Sequence, residues 1–184
     1  LDPEPNPLML DRYLVACEAA QLPIVIVANK VDIVDESQPD LMTLYEEIGY
    51  RVIRTSAMTG KGLGELYEAL RGKLSVLTGP SGVGKSSVMN ALWPHLDLKT
   101  GEISDVHGKG RHTTVVAELF YLEDNTFVAD TPGLRTFRLW DIQPEELDAL
   151  FPEMLPFRDK CQFQPCSHLH EPNCAVQAAV DEDL

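Results

Sequence analysis

Short apolar runs alternate with amphipathic stretches along the first half of this chain. Residues 23–28 form a continuous apolar run, which is typical of a strand buried in a parallel sheet. Between such runs, apolar residues recur at helical spacing, as Leu10, Leu14 and Cys17 do. The predicted order is helix 6–21, strand 23–28, helix 39–48, strand 51–55, helix 63–71 and strand 74–78. This alternation predicts an α/β fold in which a mostly parallel sheet carries helices on both faces.

The second half of the chain begins with one more helix and then changes character. A glycine-rich loop leads into a helix that ends near Trp93, and residues 97–111 are polar and predict a loop. Residues 114–122 and 126–129 predict the two strands of a hairpin. A short helix is predicted over residues 144–150.

Length and composition fit one domain with a small appendage. The chain has 184 residues, 44% of them hydrophobic, and it contains no run of about 18 apolar residues that could span a membrane. From Phe151 onward Pro, Cys and His accumulate, so we predict a domain over 1–150 and a Cys/His module over 151–184. The net charge of −14 argues against broad binding of nucleic acids. The first residues do not form a signal peptide, so we expect a cytoplasmic protein. They include no initiator Met, so we expect that an upstream segment has been lost. We also expect a monomer.

The glycine-rich stretch 79–86 matches the phosphate-loop pattern G-x-x-x-x-G-K-[ST]. It follows a predicted strand and opens a predicted helix, where backbone N–H groups can point at phosphate oxygens. Lys85 would bring a positive charge to the β- and γ-phosphates, and the Ser86 hydroxyl would bind Mg²⁺. An ordinary glycine-rich turn before a helix is the alternative. The residues assigned here to nucleotide binding are Gly79, Pro80, Ser81, Gly82, Val83, Gly84, Lys85, Ser86 and Ser87.

Two motifs at strand ends predict that the base is guanine. The first is N-K-V-D, in which the Asp32 carboxylate can accept hydrogen bonds from guanine N1–H and N2–H₂. Adenine lacks this pair of donors and would leave the carboxylate without a partner. The Lys30 stem can lie over the base, and the Asn29 amide can tie its loop to neighbouring segments. The next strand ends in T-S-A, so we also assign Ser56 and Ala57 to base binding, with the Ala57 N–H directed at guanine O6.

A D-x-x-G motif after the hairpin predicts the magnesium side of the site. Asp130 would hold Mg²⁺ through water, and the Gly133 N–H would contact the γ-phosphate. Thr113 and Thr114 lie between this motif and the phosphate loop, and one of them can complete the Mg²⁺ shell. We favour Thr114, and the ordinary start of a strand is the alternative for both. The predicted magnesium ligands are therefore Ser86, Thr113, Thr114 and Asp130.

Three cysteines and one histidine near the C-terminus predict a structural metal site. Cys161, Cys166, His168 and Cys174 offer three thiolates and one imidazole, a set that suits tetrahedral Zn²⁺. Four protein ligands leave no open position, so the metal would support folding rather than catalysis. Reduced cysteines without metal are the alternative. Cys17 stands apart on the apolar side of a helix, where packing explains it.

If the bound GTP is hydrolysed, a side chain must position the attacking water, and the residue usual at that position is missing here. Many GTPases carry Gln directly after D-x-x-G, but this chain has Leu134, which cannot orient water. His112 precedes the two threonines and is our candidate catalytic residue. Contact with RNA phosphate beside Lys109 and Arg111, or a solvated loop position, are the alternatives for His112. The competing functions are a scaffold that holds GTP without turnover and an ATP-using enzyme, which Asp32 opposes.

The order of these motifs is circularly permuted, because the base motifs precede the phosphate loop. In this order, and in the Cys/His module that follows, the chain resembles the RsgA (YjeQ) family of bacterial ribosome-biogenesis GTPases over essentially its whole length. The resemblance implies GTP hydrolysis as a switch in late maturation of the small ribosomal subunit, stimulated by that subunit, with Mg²⁺ at the nucleotide and a structural Zn²⁺. It also implies an N-terminal oligonucleotide-binding barrel and a first strand, both absent from this sequence, and a module that continues beyond Leu184. The barrel and the zinc module would make the rRNA contacts.

Overall fold

The computed structural model describes residues 3–34, 40–98, 118–130 and 142–182. Its α-helices are α1 (Pro7–Ala19), α2 (Leu41–Ile48), α3 (Leu63–Leu70), α4 (Lys85–Leu92), α5 (Leu155–Arg158) and α6 (Ala175–Asp181). Its strands are β1 (Val25–Ala28), β2 (Arg51–Arg54), β3 (Leu74–Leu77), β4 (Glu118–Tyr121) and β5 (Phe127–Asp130). Short 3₁₀ helices cover Val31–Ile33, Pro94–Leu96, Pro144–Leu150 and Pro152–Met154. Among the helices of these ranges, none has the length and apolar character that crossing a membrane requires.

Local sequence signals set the ends of the helices. The Asn6 side chain accepts a hydrogen bond from the Met9 N–H at the start of α1, and Pro7 occupies the first turn. Asp40 caps α2 in the same way, and Gly49, with φ +113°, ends that helix in the left-handed conformation. Predicted and observed helix boundaries therefore agree closely in this part of the chain.

Strands β1 and β2 form a parallel pair that is covered on both faces. Val25 lies opposite Arg51, and Ala28 lies opposite Arg54. Helices α1 and α2 cover one face through a cluster of Leu14, Ile26, Ala28, Met42 and Tyr45. Helices α3 and α4 cover the other face through Ile53, Leu66, Ala69 and Val88. We refer to the elements from α1 to α3, residues 7–70, as the base-side core.

The remaining strands form a three-stranded sheet in the order β3-β5-β4. β3 pairs with β5 in parallel, and β4 pairs with β5 in the antiparallel direction. Helix α4 packs on one face, where Met89 and Trp93 contact Val128. The opposite face carries four apolar side chains that are more than half exposed, namely Leu74, Val76, Leu119 and Tyr121. The expectation of helices on both faces is thus met at β1 and β2, whereas the described helices that pack on this sheet share the face covered by α4, where Tyr67, Leu70 and Leu96 join the cluster.

The strands make two sheets among the described residues, where the sequence predicted one. β1 and β3 share no ladder in these ranges, and contacts between α3 and α4 join the two sheets instead. The cluster of Ile53, Leu66 and Val88 lies at this junction. The hydrophobic pattern predicts which strands are buried, but it carries no information on which strand lies beside which.

Candidate nucleotide site and metal centre

The phosphate loop connects β3 to α4, which begins at Lys85. Gly84 precedes the helix with φ +94°, and a Cβ at this position would press against the side-chain amide of Asn29. The Lys85 Nζ donates to the carbonyl oxygens of Gly79 at 2.7 Å and Pro80 at 2.9 Å. These bonds hold the ammonium group across the loop, beside the N–H groups that open α4. The loop therefore concentrates positive potential where phosphates would bind.

The second phosphate motif lies one strand away from this loop. Leu77 of β3 is paired with Asp130 of β5, and the two strands are parallel. Their carboxyl ends therefore meet at one edge of the sheet, so the backbone of Asp130 lies beside the entrance to the phosphate loop. Ser86 lies in the first turn of α4 and lines a small cavity there. The other predictions on this side, His112, Thr113, Thr114 and Gly133, lie outside the described residues, as does Leu134.

The guanine motif forms a tight turn after β1. Lys30 has φ +66° and ψ +34°, a left-handed conformation that reverses the chain before the 3₁₀ helix Val31–Ile33. The Val31 N–H donates to the Thr55 carbonyl at 3.1 Å, and the Thr55 N–H donates to the Ala28 carbonyl at 2.8 Å. These bonds fix the turn to the end of β2 and leave Asp32 at the surface, where a ligand can reach it.

Asn29 joins three of the predicted nucleotide motifs. Its Nδ2 donates to the Val83 carbonyl in the phosphate loop at 3.0 Å. Its Oδ1 accepts from the Thr55 hydroxyl at 3.2 Å and from the Ala57 N–H at 3.3 Å. The sequence predicts that the Asn29 amide connects its loop to neighbouring segments, and the structure identifies these segments as the phosphate loop and the T-S-A loop. The Ala57 N–H, predicted to bind guanine O6, is shared here with Asn29, so its role toward the base stays a prediction.

The T-S-A loop is fixed by buried polar groups and by a glycine that the sequence analysis did not assign to the site. Thr55 and Ser56 have no exposed surface. The Ser56 N–H donates to the Lys61 carbonyl at 3.0 Å, and its hydroxyl accepts from the Thr59 N–H at 3.1 Å. Gly62 has φ +70° and lies so close to the Arg54 carbonyl that a Cβ would collide with it. The sequence G-K-G at residues 60–62 is typical of a turn, but only the structure shows which loop this turn supports.

The four predicted zinc ligands lie together. Their ligand atoms are all within 4.8 Å of one another, and the three cysteines are free thiols, not disulfides. The Cys161 and Cys174 sulfurs are 3.9 Å apart, and His168 Nδ1 lies 3.7 Å and 3.3 Å from them. In a zinc tetrahedron the edges are about 3.8 Å between two sulfurs and about 3.6 Å between sulfur and nitrogen. The donor set and its spacing therefore fit Zn²⁺.

The electrostatics of the cluster favour metal binding. Burial opposes ionisation of Cys174, but the hydrogen bond from the Gln177 N–H, together with the other ligand side chains around the sulfur, outweighs it and holds the pKa of this thiol below its usual range. Burial raises the pKa of Cys166 instead. Because thiolates are the form that binds metal, Cys174 is prepared for coordination, whereas Cys166 would ionise when the metal arrives.

Behind His168 lies an acidic side chain that the sequence analysis did not identify. The Nε2 atom of His168 is 3.2 Å from Asp148 Oδ2, in the 3₁₀ helix Pro144–Leu150. The same oxygen lies 3.1 Å from the Nε atom of Arg158. Twenty residues separate Asp148 from His168 in the chain, and no local pattern marks such a pair.

Comparison with known proteins places this site among characterised folds. A family model described as RsgA GTPase matches residues 1–140. The "Small ribosomal subunit biogenesis GTPase RsgA" of Moorella thermoacetica is 49% identical over 183 residues, which cover 100% of this chain and 63% of that protein. The protein of the same name from Bacteroides fragilis is 42% identical over 184 residues, covering 98% and 59% respectively. The chain thus spans about three fifths of the length of these relatives.

Solved structures show the same relationship. YjeQ from Thermotoga maritima aligns with a TM-score of 0.77 and 39% identity, covering 98% of this chain and 61% of that one. YloQ, described as a circularly permuted GTPase, aligns with a TM-score of 0.75 and 34% identity, covering 100% and 58%. The permuted order of motifs read from the sequence therefore has a counterpart of known structure.

Proposed function

The chain belongs to the RsgA GTPase family, and we propose that it binds GTP and hydrolyses it to GDP and phosphate. The observation that carries this proposal is the set of contacts made by Asn29. One side chain holds the guanine motif, the T-S-A loop and the phosphate loop at a single edge of the fold. A nucleotide bound there would have its base at Asp32 and its phosphates over α4.

Recognition of guanine would come from the exposed carboxylate of Asp32. It accepts hydrogen bonds from two guanine donors that adenine lacks, and the Lys30 stem covers the base. The short bonds from Val31 and Thr55 keep the turn in place, so little ordering is needed when the base binds. Ser56 and Ala57 would complete the base pocket.

Mg²⁺ would be held by Ser86, Asp130 and one of Thr113 and Thr114. Ser86 and the backbone of Asp130 approach the phosphate loop from α4 and β5, so their side chains could hold a metal beside the phosphates. When bound, this ion neutralises charge that develops on the β- and γ-phosphates. Lys85 adds a second positive charge from the protein, and the Gly133 N–H would contact the γ-phosphate.

We assign the placement of the attacking water to His112. Leu134 offers no hydrogen-bonding group at the position where many GTPases have Gln. A neutral imidazole can hold water through its ring nitrogens. Leu134 also favours a second candidate function, a protein that holds GTP as a scaffold without turnover. Measurement of phosphate release separates the two.

The partner proposed for the full-length protein is the small ribosomal subunit, because the relatives are named for its biogenesis. In this proposal GTP hydrolysis is a switch in late maturation, and the subunit stimulates turnover. The net charge of −14 indicates that this chain alone would bind rRNA weakly. We further propose that Cys161, Cys166, His168 and Cys174 hold a structural Zn²⁺, because their spacing fits it.

Asp32→Asn tests the base assignment. The amide donates where the carboxylate accepted, so GTP affinity should fall and xanthosine triphosphate should become the better ligand. Competition of guanine, xanthine and adenine nucleotides for a fluorescent GDP analogue measures the change. Asp124→Asn, an exposed change of the same kind in the β4–β5 turn, serves as the control. Unchanged guanine selectivity in Asp32→Asn would reject the assignment.

His112→Ala tests the chemical step. Turnover stimulated by small ribosomal subunits should fall by roughly 10²-fold, the usual scale for a positioned acid–base group. GTP affinity should hardly change, because in this proposal the imidazole would contact the attacking water and not the nucleotide. Stimulated turnover within about twofold of the parent would exclude His112 from the chemistry.

A further inference from the structure

Asp148 is placed to control the imidazole of His168. His168 Nε2 faces Asp148 Oδ2 at 3.2 Å, and a carboxylate oxygen is a hydrogen-bond acceptor, so this contact places the hydrogen of the imidazole on Nε2. Nδ1 then carries the lone pair, and it is this atom that faces the sulfurs of Cys161 and Cys174. The hydrogen bond therefore selects the tautomer and the ring orientation that a metal requires.

The carboxylate of Asp148 is itself held in a buried position. Its side chain is 14% exposed, and Arg158 approaches the same Oδ2 atom at 3.1 Å. The other oxygen, Oδ1, is buried and accepts no hydrogen bond from any described residue. A buried charge with so few partners is stable only while those partners stay in place. Asp148 thus depends on His168 and Arg158, both of which belong to the Cys/His module.

The 3₁₀ helix that carries Asp148 also contacts the base-side core. Residues Pro144–Leu150 pack against α1 on one side and against α5 on the other. Gln143 and Glu146 cap this short helix reciprocally, which fixes its first turn. It therefore lies between the nucleotide fold and the metal ligands, and Asp148 is its polar contact with His168.

We propose that Asp148 is an outer-sphere positioning residue for the metal, and that through it the metal fixes the 3₁₀ helix Pro144–Leu150 between α1 and the Cys/His module. The inference rests on the proposed metal site. It adds that the site extends across the predicted domain boundary at residue 150. Metal loading would then order a segment that contains no metal ligand.

The first test compares Asp148→Asn with Asp159→Asn in the whole chain. Both substitutions remove one negative charge, but Asp159 is exposed and lies at the end of α5. In competition with a chromophoric chelator, Asp148→Asn should bind Zn²⁺ about 10–100-fold more weakly, the usual effect of losing an outer-sphere partner. The control should stay within about twofold of the parent. Equal affinities in the two variants would overturn the proposal.

A second measurement keeps the test decisive if Asp148→Asn does not fold. Backbone hydrogen exchange of the parent is compared with Zn²⁺ bound and after its removal. After removal of Zn²⁺, residues 144–150 should lose protection together with the ligand loop, residues 161–174, while α3 stays protected. Unchanged protection over residues 144–150 would overturn the coupling. If the parent binds no zinc at all, the metal site itself is rejected. If the parent binds zinc normally and Asp148→Asn binds it equally well, only the role of Asp148 is rejected.

Discussion

The base-side core and the Cys/His module are stabilised in different ways. In the core, Ile53, Thr55 and Ser56 have no exposed surface, and helices cover both faces of the β1–β2 pair. In the module, the buried cluster consists largely of the ligands themselves, Cys161, Cys166 and Cys174, with Val176 beside them. Apolar burial therefore stabilises the core, whereas the module buries fewer large apolar side chains, and the proposed metal would contribute free energy of folding there.

Because of this difference, we expect the two regions to lose their structure under different conditions. Removal of a metal ligand should affect the module and leave the guanine site intact. Steric disruption in the core should do the opposite. The 3₁₀ helix Pro144–Leu150, which contacts both regions, is the place where the separation is incomplete.

The largest effect is expected for Cys174→Ser. It removes a thiolate from the proposed zinc site, and zinc contributes about 10–16 kcal/mol in comparable structural modules. The Ser hydroxyl can still accept the Gln177 N–H at the start of α6, so the substitution tests the loss of the metal ligand and not of the helix cap. Hydrogen exchange should show residues 161–181 unprotected, with GDP affinity within about twofold of the parent, as for distant sites.

Cys17→Ser is the matched control, because Cys17 lies in α1 outside the ligand cluster. This variant should keep the module protected and the zinc bound. A parallel loss of GDP binding in Cys174→Ser would show that the two regions are not separate.

A smaller effect, confined to the core, is expected for Gly62→Ala. The new Cβ would meet the Arg54 carbonyl, and φ +70° is unfavourable for alanine. We expect a loss of roughly 1–3 kcal/mol in the free energy of unfolding. GDP affinity should fall as well, since the displaced loop carries Ser56 and Ala57. Zinc affinity should not change.

Gly64→Ala gives the control for this substitution in the same helix. A Cβ there meets no neighbouring atom, so α3 should gain roughly 0.5–1 kcal/mol from the better helix former. Chemical denaturation and GDP titration of both variants provide the comparison. If Gly62→Ala were as stable as Gly64→Ala, the close approach to Arg54 would have no energetic role.

The smallest effect concerns acid and the ligand loop. Glu171 accepts hydrogen bonds from the Ser167 N–H and hydroxyl and from the Leu169 and His170 N–H groups. Chiefly because of the Ser167 N–H, the pKa of this carboxyl falls from 4.5 to about 2. A depressed pKa in the folded state means that the carboxylate stabilises the loop fully above pH 4.5, and that this contribution is lost as the pH falls toward 2.

Glu171→Gln isolates this contribution. The stability difference between parent and variant should be constant above about pH 4.5 and should shrink as the pH falls. Thermal unfolding of parent and variant at each pH measures this stability difference. Any metal released by acid is lost from both proteins, so its effect cancels in the difference. A difference that does not depend on pH from 2 to 6 would show that the charge of Glu171 has no role.

Elements whose signals are local were predicted well from the sequence. The six elements before the phosphate loop were all placed within two residues of their observed ends, because caps and apolar runs determine them. The hairpin was placed correctly, but its first strand, predicted over residues 114–122, is described only as Glu118–Tyr121. The short helix over residues 144–150 proved to be 3₁₀, a distinction that a single turn of sequence does not encode.

Contacts between distant residues could not be predicted in the same way. Asn29 and Val83 are 54 positions apart, and the pairing of Asp148 with His168 has no sequence signature. Side-chain chemistry indicated what each motif could bind, while the partners that hold each motif depend on tertiary packing. The four predicted zinc ligands are the exception, because three cysteines and a histidine at short spacing in the sequence indicate that they lie around one metal site.

The contiguity of the base-side core has a consequence for synthesis. Its strands and helices come from residues 7–70, whereas the phosphate side needs β3, α4 and the later pair β4 and β5. A chain made from its N-terminus can complete the short-range contacts of the core before the phosphate loop has been translated. Asn29 would then already be oriented by Thr55, with its Nδ2 awaiting the Val83 carbonyl. The permuted order of motifs thus allows the turn that carries the guanine motif to form before the phosphate loop is made.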